Sequence, residues 1–143
     1  MMSRIRSIML IWTVAVAASL MWPAIHSDAL KAQQGGQVVI EIRNYTYEFH
    51  GGVLKPLEPA TIVLRNKDDV THGFNSTLFE SLDVDVETDA GDTYGNGIKG
   101  VHIAPGKEIR IHFTPTGPGK HEFHCDIHKN MKGEILILAV GTA

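Results

Sequence analysis

Cys125, His128 and Met131 fall three residues apart within the stretch Phe123-His-Cys-Asp-Ile-His-Lys-Asn-Met-Lys-Gly133. Strand-like segments flank this stretch, so a thiolate, an imidazole and a thioether share one short loop and can converge on a point. These are soft and borderline donors. Together they suit copper better than magnesium, calcium or manganese, which favour carboxylate, carbonyl and water oxygens. A trigonal set of two imidazoles and one thiolate, with a weak axial methionine, makes an electron-transfer copper site. The loop supplies one histidine, and the second must come from elsewhere. His72 is the natural candidate, because it follows a strand and the turn Asn66-Lys-Asp-Asp-Val-Thr-His72.

Each of these residues has a plainer use when taken singly. A lone buried cysteine is usually a small core hydrophobe, a lone methionine fills core space, and a histidine after a turn is solvated. Their joint spacing, with a partner histidine in context, favours the metal. Cys125 is the sole cysteine, so an internal disulfide is excluded, as is a dinuclear copper site needing two thiolates. The other histidines lack such context. His124 points to the opposite strand face from Cys125, and His121 lies four residues back, roughly 13 Å away at strand rise. His121 reads as packing, His50, His102 and His112 as loop or surface residues, and His26 as part of a targeting segment.

The elements that must position the donors read as strands and turns. Val38, Ile40 and Ile42 alternate with polar residues, with Tyr45, Tyr47 and Phe49 continuing the pattern until Gly51-Gly52. Thr61–Leu64 is a second strand, ended by a turn at 66–69. Leu82, Val84 and Val86 alternate with Asp83, Asp85 and Glu87, and a glycine-rich loop spans Gly91–Gly100. Val101 and Ile103 precede a Pro105-Gly106 turn, after which Ile109, Ile111 and Phe113 face inward. Residues 121–125 and 134–140 supply the last two strands. About seven short strands at regular spacing predict an all-β sandwich or barrel.

The chain's 143 residues and net charge of −3 suit one acidic domain. Without clustered Lys and Arg, nucleic acid is excluded as a partner. Arg4 and Arg6, the apolar run from Ser7 to Met21 and the small residues around Ser27-Asp-Ala29 read as an export signal over residues 1–29. An uncleaved N-terminal anchor is the alternative, since a spanning helix needs about 20 residues. Both readings put the domain, residues 37–143, outside the cytoplasm, in the periplasm or its equivalent.

The pair of motifs Asn66-x-Asp-x-x-x-His72 and Phe123-x-Cys-x-x-His-x-x-Met-x-Gly133 resembles the cupredoxins, the type 1 blue copper proteins. The short gap before Met131 is similar to the amicyanin type of ligand loop. The Ala104-Pro-Gly106 turn and the segment near Pro56 also resemble the family. The likeness implies a Greek-key β-sandwich of about seven to eight strands. It also implies one copper ion cycling between Cu(I) and Cu(II), with His72, Cys125 and His128 as equatorial ligands and Met131 as the axial one. The chain departs from the family at Leu64, where Trp is common, at Gly73, where Asn is frequent, and at Ile127, where Pro is frequent. At Gly73 a backbone N–H survives while a side-chain brace between the ligand loops is lost. Ile127 carries an N–H that a proline lacks, which could be aimed at the Cys125 sulfur.

The function so implied is a monomeric one-electron carrier between protein redox partners, not an enzyme. Partners would dock near the exposed edge of His128. A copper-delivery protein without redox work and an enzyme with an open metal site stay as alternatives. The acidic segment Glu80–Asp92 reads either as a docking patch for a basic partner or as a charged edge strand that discourages sheet-to-sheet association. The second reading is preferred.

Overall fold

A computed structural model describes residues 35–89 and 91–139, with the side chains of residues 92–94 left out of the description. The targeting segment therefore lies outside the described residues. Among the described residues ten strands are present: β1 (Gly36–Arg43), β2 (Thr46–Gly51), β3 (Ala60–Asn66), β4 (His72–Ser76), β5 (Asp83–Thr88), β6 (Gly91–Asn96), β7 (Gly100–Ile103), β8 (Glu108–Phe113), β9 (Gly119–His124) and β10 (Lys132–Ile137). They form a six-stranded sheet in the order β2-β1-β3-β8-β5-β6 and a four-stranded sheet in the order β10-β9-β4-β7. β1 and β3 run parallel, and the other named strand pairs are antiparallel. The class is the all-β sandwich read from the sequence. The strand count is higher than expected, for two local reasons.

The first reason is a tight hairpin inside the alternating stretch 38–49. Arg43 pairs with Thr46, and the two residues between them, Asn44 and Tyr45, hold φ of 52° and 59°. Positive φ at both central positions marks a two-residue type I′ turn, whose twist suits paired antiparallel strands. Tyr45 thus belongs to the turn, not to a continuous strand. The second reason is that residues 91–96 pair with β5 and form a strand within the expected glycine-rich loop. β6 is therefore the sheet edge, and β5, with its acidic residues, lies between β6 and β8. The reading of Glu80–Asp92 as an edge strand is corrected accordingly.

The core lies between the sheets. Ile40, Ile62, Leu64 and Ile111 from the larger sheet meet Phe74, Phe123 and Ile103 from the smaller, each fully or almost fully buried. Burial of one such side chain contributes roughly 1.5 to 3 kcal/mol. At Ala104–Lys107 the Lys107 N–H bonds to the Ala104 carbonyl at 3.1 Å, with Gly106 at φ 69°. That is the type II turn that Pro followed by Gly favours. Among the described residues, no helix is long and apolar enough to cross a membrane.

Candidate metal centre

The smaller sheet positions the site. His72 opens β4, and Cys125 follows directly on β9, which pairs with β4 through Asn75–His124 and Ser76–Phe123. Two strands thus deliver donors from distant parts of the chain to one end of the sandwich. The loop after Cys125 closes on itself, with the Cys125 N–H bonded to the Met131 carbonyl at 3.0 Å and the Met131 N–H to the His128 carbonyl at 3.1 Å. Phe123 and Gly133, the outer members of the loop motif, are cross-strand partners. A Cβ on Gly133 would meet the Phe123 ring at 2.4 Å, so this glycine makes room for a core aromatic.

The donor atoms of His72, Cys125 and His128 all lie within 4.8 Å of one another. Nδ1 of His72 stands 3.1 Å from Nδ1 of His128, and that nitrogen stands 3.6 Å from the Cys125 sulfur. Metal–nitrogen and metal–sulfur bonds of about 2.0 to 2.3 Å fit between atoms so spaced. His72 and Cys125 are buried and His128 is half-buried. At 3.1 Å the two imidazole nitrogens stand too close for their lone pairs to face each other unless a cation or a shared proton lies between them. Met131 is also buried, in the same core cluster as Cys125. The structure therefore brings together the two histidines and the cysteine, with Met131 on the closing position of their loop.

Supporting residues fix these donors. Asp68 accepts from His72 Nε2 at 2.8 Å, which sets the proton on that nitrogen and leaves Nδ1 free for a metal. Burial alone would raise the Asp68 carboxyl, but N–H groups of Tyr45 and Asn44, together with His72, outweigh it and hold the carboxyl below its usual range. Asn66 shapes the same turn, donating to the carbonyls of Val70 and Ile103 and accepting the Asp68 N–H. The Asn66-x-Asp68 motif thus has a physical meaning: one side chain folds the turn and the other orients the ligand.

Gly73 donates its backbone N–H to the Cys125 sulfur at 3.1 Å. Its carbonyl accepts the Tyr47 hydroxyl at 2.5 Å, and burial, then the neighbouring Cys125, raises the Tyr47 pKa so that the proton stays on. Ile127, read from the sequence as a second donor to the sulfur, makes no such bond among the described residues; its side chain is half-exposed. The lost brace at Gly73 is replaced. Asp126 accepts from Asn75 Nδ2 at 2.9 Å and meets His102 Nε2 at 2.8 Å, tying the ligand loop to β4 and β7. A Cβ on Gly73 would stand 1.9 Å from the Asp126 carboxylate, so the glycine and this brace depend on each other.

The remaining histidines among the described residues stay away from the donors, and His26 lies outside those residues. His124 and His50 are exposed, His121 packs over Gly119, and His112 lies between Thr61 and Glu87. His102 is exposed as expected, but its bond to Asp126 was not legible in the sequence. Nor was the position of Tyr45. Its ring meets His72 and His128 edge-on, with centroids 5.4 and 5.0 Å away. Asp68 lies within the Asn66-x-Asp-x-x-x-His72 motif, and its spacing of four residues from His72 is the sequence signal for its role.

The cupredoxin-like domain family model matches residues 8–137. No curated protein matches the chain. Among solved structures, the chain is similar to the McoA multicopper oxidase of Aquifex aeolicus, with a TM-score of 0.52 and 16% identity over 73% of this chain and 29% of that one. It is also similar to the multicopper oxidase of Campylobacter jejuni, described as a metallo-oxidase, with a TM-score of 0.52 and 10% identity over 75% and 30% of the two chains. Amicyanin from Paracoccus versutus aligns with a TM-score of 0.44 and 18% identity over 71% and 81%. The chain spans less than a third of either oxidase, and at such identities the likeness speaks for the fold alone. With the family model covering nearly the whole chain, this protein belongs to the cupredoxin-like domain family.

Proposed function

We propose that this protein is an exported type 1 copper protein that carries single electrons between protein redox partners, with His72, Cys125, His128 and Met131 as its ligands. The observation that carries the reading is the convergence of two imidazole nitrogens and one cysteine sulfur within 4.8 Å, with His72 held by Asp68 and the sulfur by the Gly73 N–H. Copper, when bound, supplies the one-electron couple. The protein's part is to keep the donors still, because a carrier exchanges electrons fast only when both oxidation states share one geometry. Asp68 holds His72, the Gly73 N–H holds the sulfur, and the Asp126 brace holds the loop. Four protein donors leave no open position for a substrate, which favours electron transfer over catalysis at the metal.

The test is the visible spectrum of the Cu(II)-loaded protein. An intense thiolate-to-copper band, blue or green, is expected, with reversible one-electron voltammetry. Cys125→Ala should abolish the colour and tight copper binding, and His72→Gly should leave a folded sandwich with an altered spectrum. Colour that survives loss of Cys125 would refute the ligand assignment. A pale Cu(II) form readily stripped by a chelator would point to copper delivery instead.

A further inference from the structure

Tyr45 occupies a backbone position that disfavours it. Its φ of 59° lies in the left-handed region, where a two-residue I′ turn most often carries glycine after asparagine. Bulky residues rarely hold such a conformation, and where they do the strain points to a role. The surroundings of the ring indicate that role. It stands edge-on to both site histidines, at interplanar angles of 85° and 86°. His72 beneath it is fully buried while Tyr45 is 51% exposed, so the ring is the outer layer over the imidazole pair. Asp68 accepts the N–H groups of Asn44 and Tyr45 at 2.7 and 3.0 Å with the same carboxylate that holds His72 Nε2. One anchor thus sets the turn and the ligand together, fixing the ring in register with the metal donors. Among the described residues the phenol hydroxyl has no hydrogen-bond partner, which leaves the aromatic body as the working part.

We infer that Tyr45 is the shield of the metal centre, a residue whose ring denies small anions, free imidazole and water access to the metal from the side of the two histidines. The inference rests on the copper reading above. A four-ligand site stays inert to outside donors only if nothing can enter beside its ligands, and His128, the half-buried member of the set, marks the side nearest solvent. The shield is a positioning device and takes no part in the electron step itself.

The experiment compares Cu(II)-loaded wild type, Tyr45→Gly and Tyr45→Phe, titrated with sodium azide and with free imidazole and followed by visible absorption and electron paramagnetic resonance. Wild type and Tyr45→Phe should keep their spectra throughout. Tyr45→Gly should give a saturable shift of the thiolate band with both probes, and should lose Cu(I) to a chelator faster. Because glycine suits the turn, the Tyr45→Gly apoprotein should melt no lower than wild type, which separates opening of the site from loss of the fold. A coloured wild type with a Tyr45→Gly variant as inert as itself would overturn the shield and leave the copper reading intact. A colourless wild type would overturn both, and failure of Tyr45→Phe to match wild type would overturn the assignment to the ring.

Discussion

At the scale of single residues, the site rests on small groups doing two things at once. Gly73 offers its N–H to the Cys125 sulfur and its empty Cβ position to the Asp126 carboxylate. Gly73→Ala must push Asp126 or the loop away and weaken the N–H···S bond. Such a bond favours the reduced, more electron-rich site, so its loss lowers the potential. A hydrogen bond contributes about 1 kcal/mol net. With 59 mV per tenfold change for one electron, the expected fall is roughly 40 mV, read by protein-film voltammetry. An unchanged or raised potential with a native-like spectrum would show that this bond does not tune the couple. The cluster of His72, Cys125 and His128 was legible in the sequence because two of its members share one loop and the third follows a recognisable turn. The residues that steady them were not. Asn75 and Asp126 meet across 51 residues of chain, and no short-range pattern announces such a pairing; Asp68 alone carried a signal, four residues before His72.

Among the elements, the strands with strict alternation were readable, and the misreadings came where a turn hid within a pattern. Tyr45 kept the period of β1 and β2 while sitting in the hairpin between them, so periodicity alone could not expose the break. β6 was hidden because Gly91 and Gly95 suggest a loop until β5 is there to pair with it. Polar pairs on the outer face also join strands. Arg65 on β3 and Glu108 on β8 are cross-strand partners joined at 2.6 Å. Burial would raise the Glu108 carboxyl, but hydrogen bonds from Arg65 and Arg110 prevail and lower it from its ordinary value of 4.5. A depressed folded-state value means that the pair stabilises the fold above about pH 4.5, and that the contribution fades as pH falls through the lower folded value. Both side chains are partly solvated, so Glu108→Gln should cost only about 0.2 to 1 kcal/mol at neutral pH. Urea melts at neutral and strongly acidic pH should show that deficit closing in acid. A deficit of equal size at both would assign it to packing.

For the whole molecule, the proposed copper would be linked to the fold. A ligand that binds the native state alone stabilises it by about 4 kcal/mol at a thousandfold excess over its Kd. For a domain of about 100 residues that raises the Tm by more than about 10 °C. Calorimetry of apo and copper-loaded protein should show the rise, and Cys125→Ala should lose most of it; equal melting of apo and loaded wild type would refute tight binding. The class, the sandwich and the polarity of the strands were readable from composition and alternation. The sheet order was not, since it depends on which edges meet after the chain has travelled far. That same distance governs the order of events as the chain folds. His72 and His128 are 56 residues apart and meet only once β4 has paired with β9, whereas Cys125, His128 and Met131 are neighbours from the start. Contacts between distant residues form late. On the proposed copper reading, a newly made chain therefore offers three of its four donors before His72 joins them, and copper that arrives early meets an incomplete site. On that reading, full coordination would report that β4 has found β9, and the growth of the thiolate-to-copper band would be a clock for the chain's own folding.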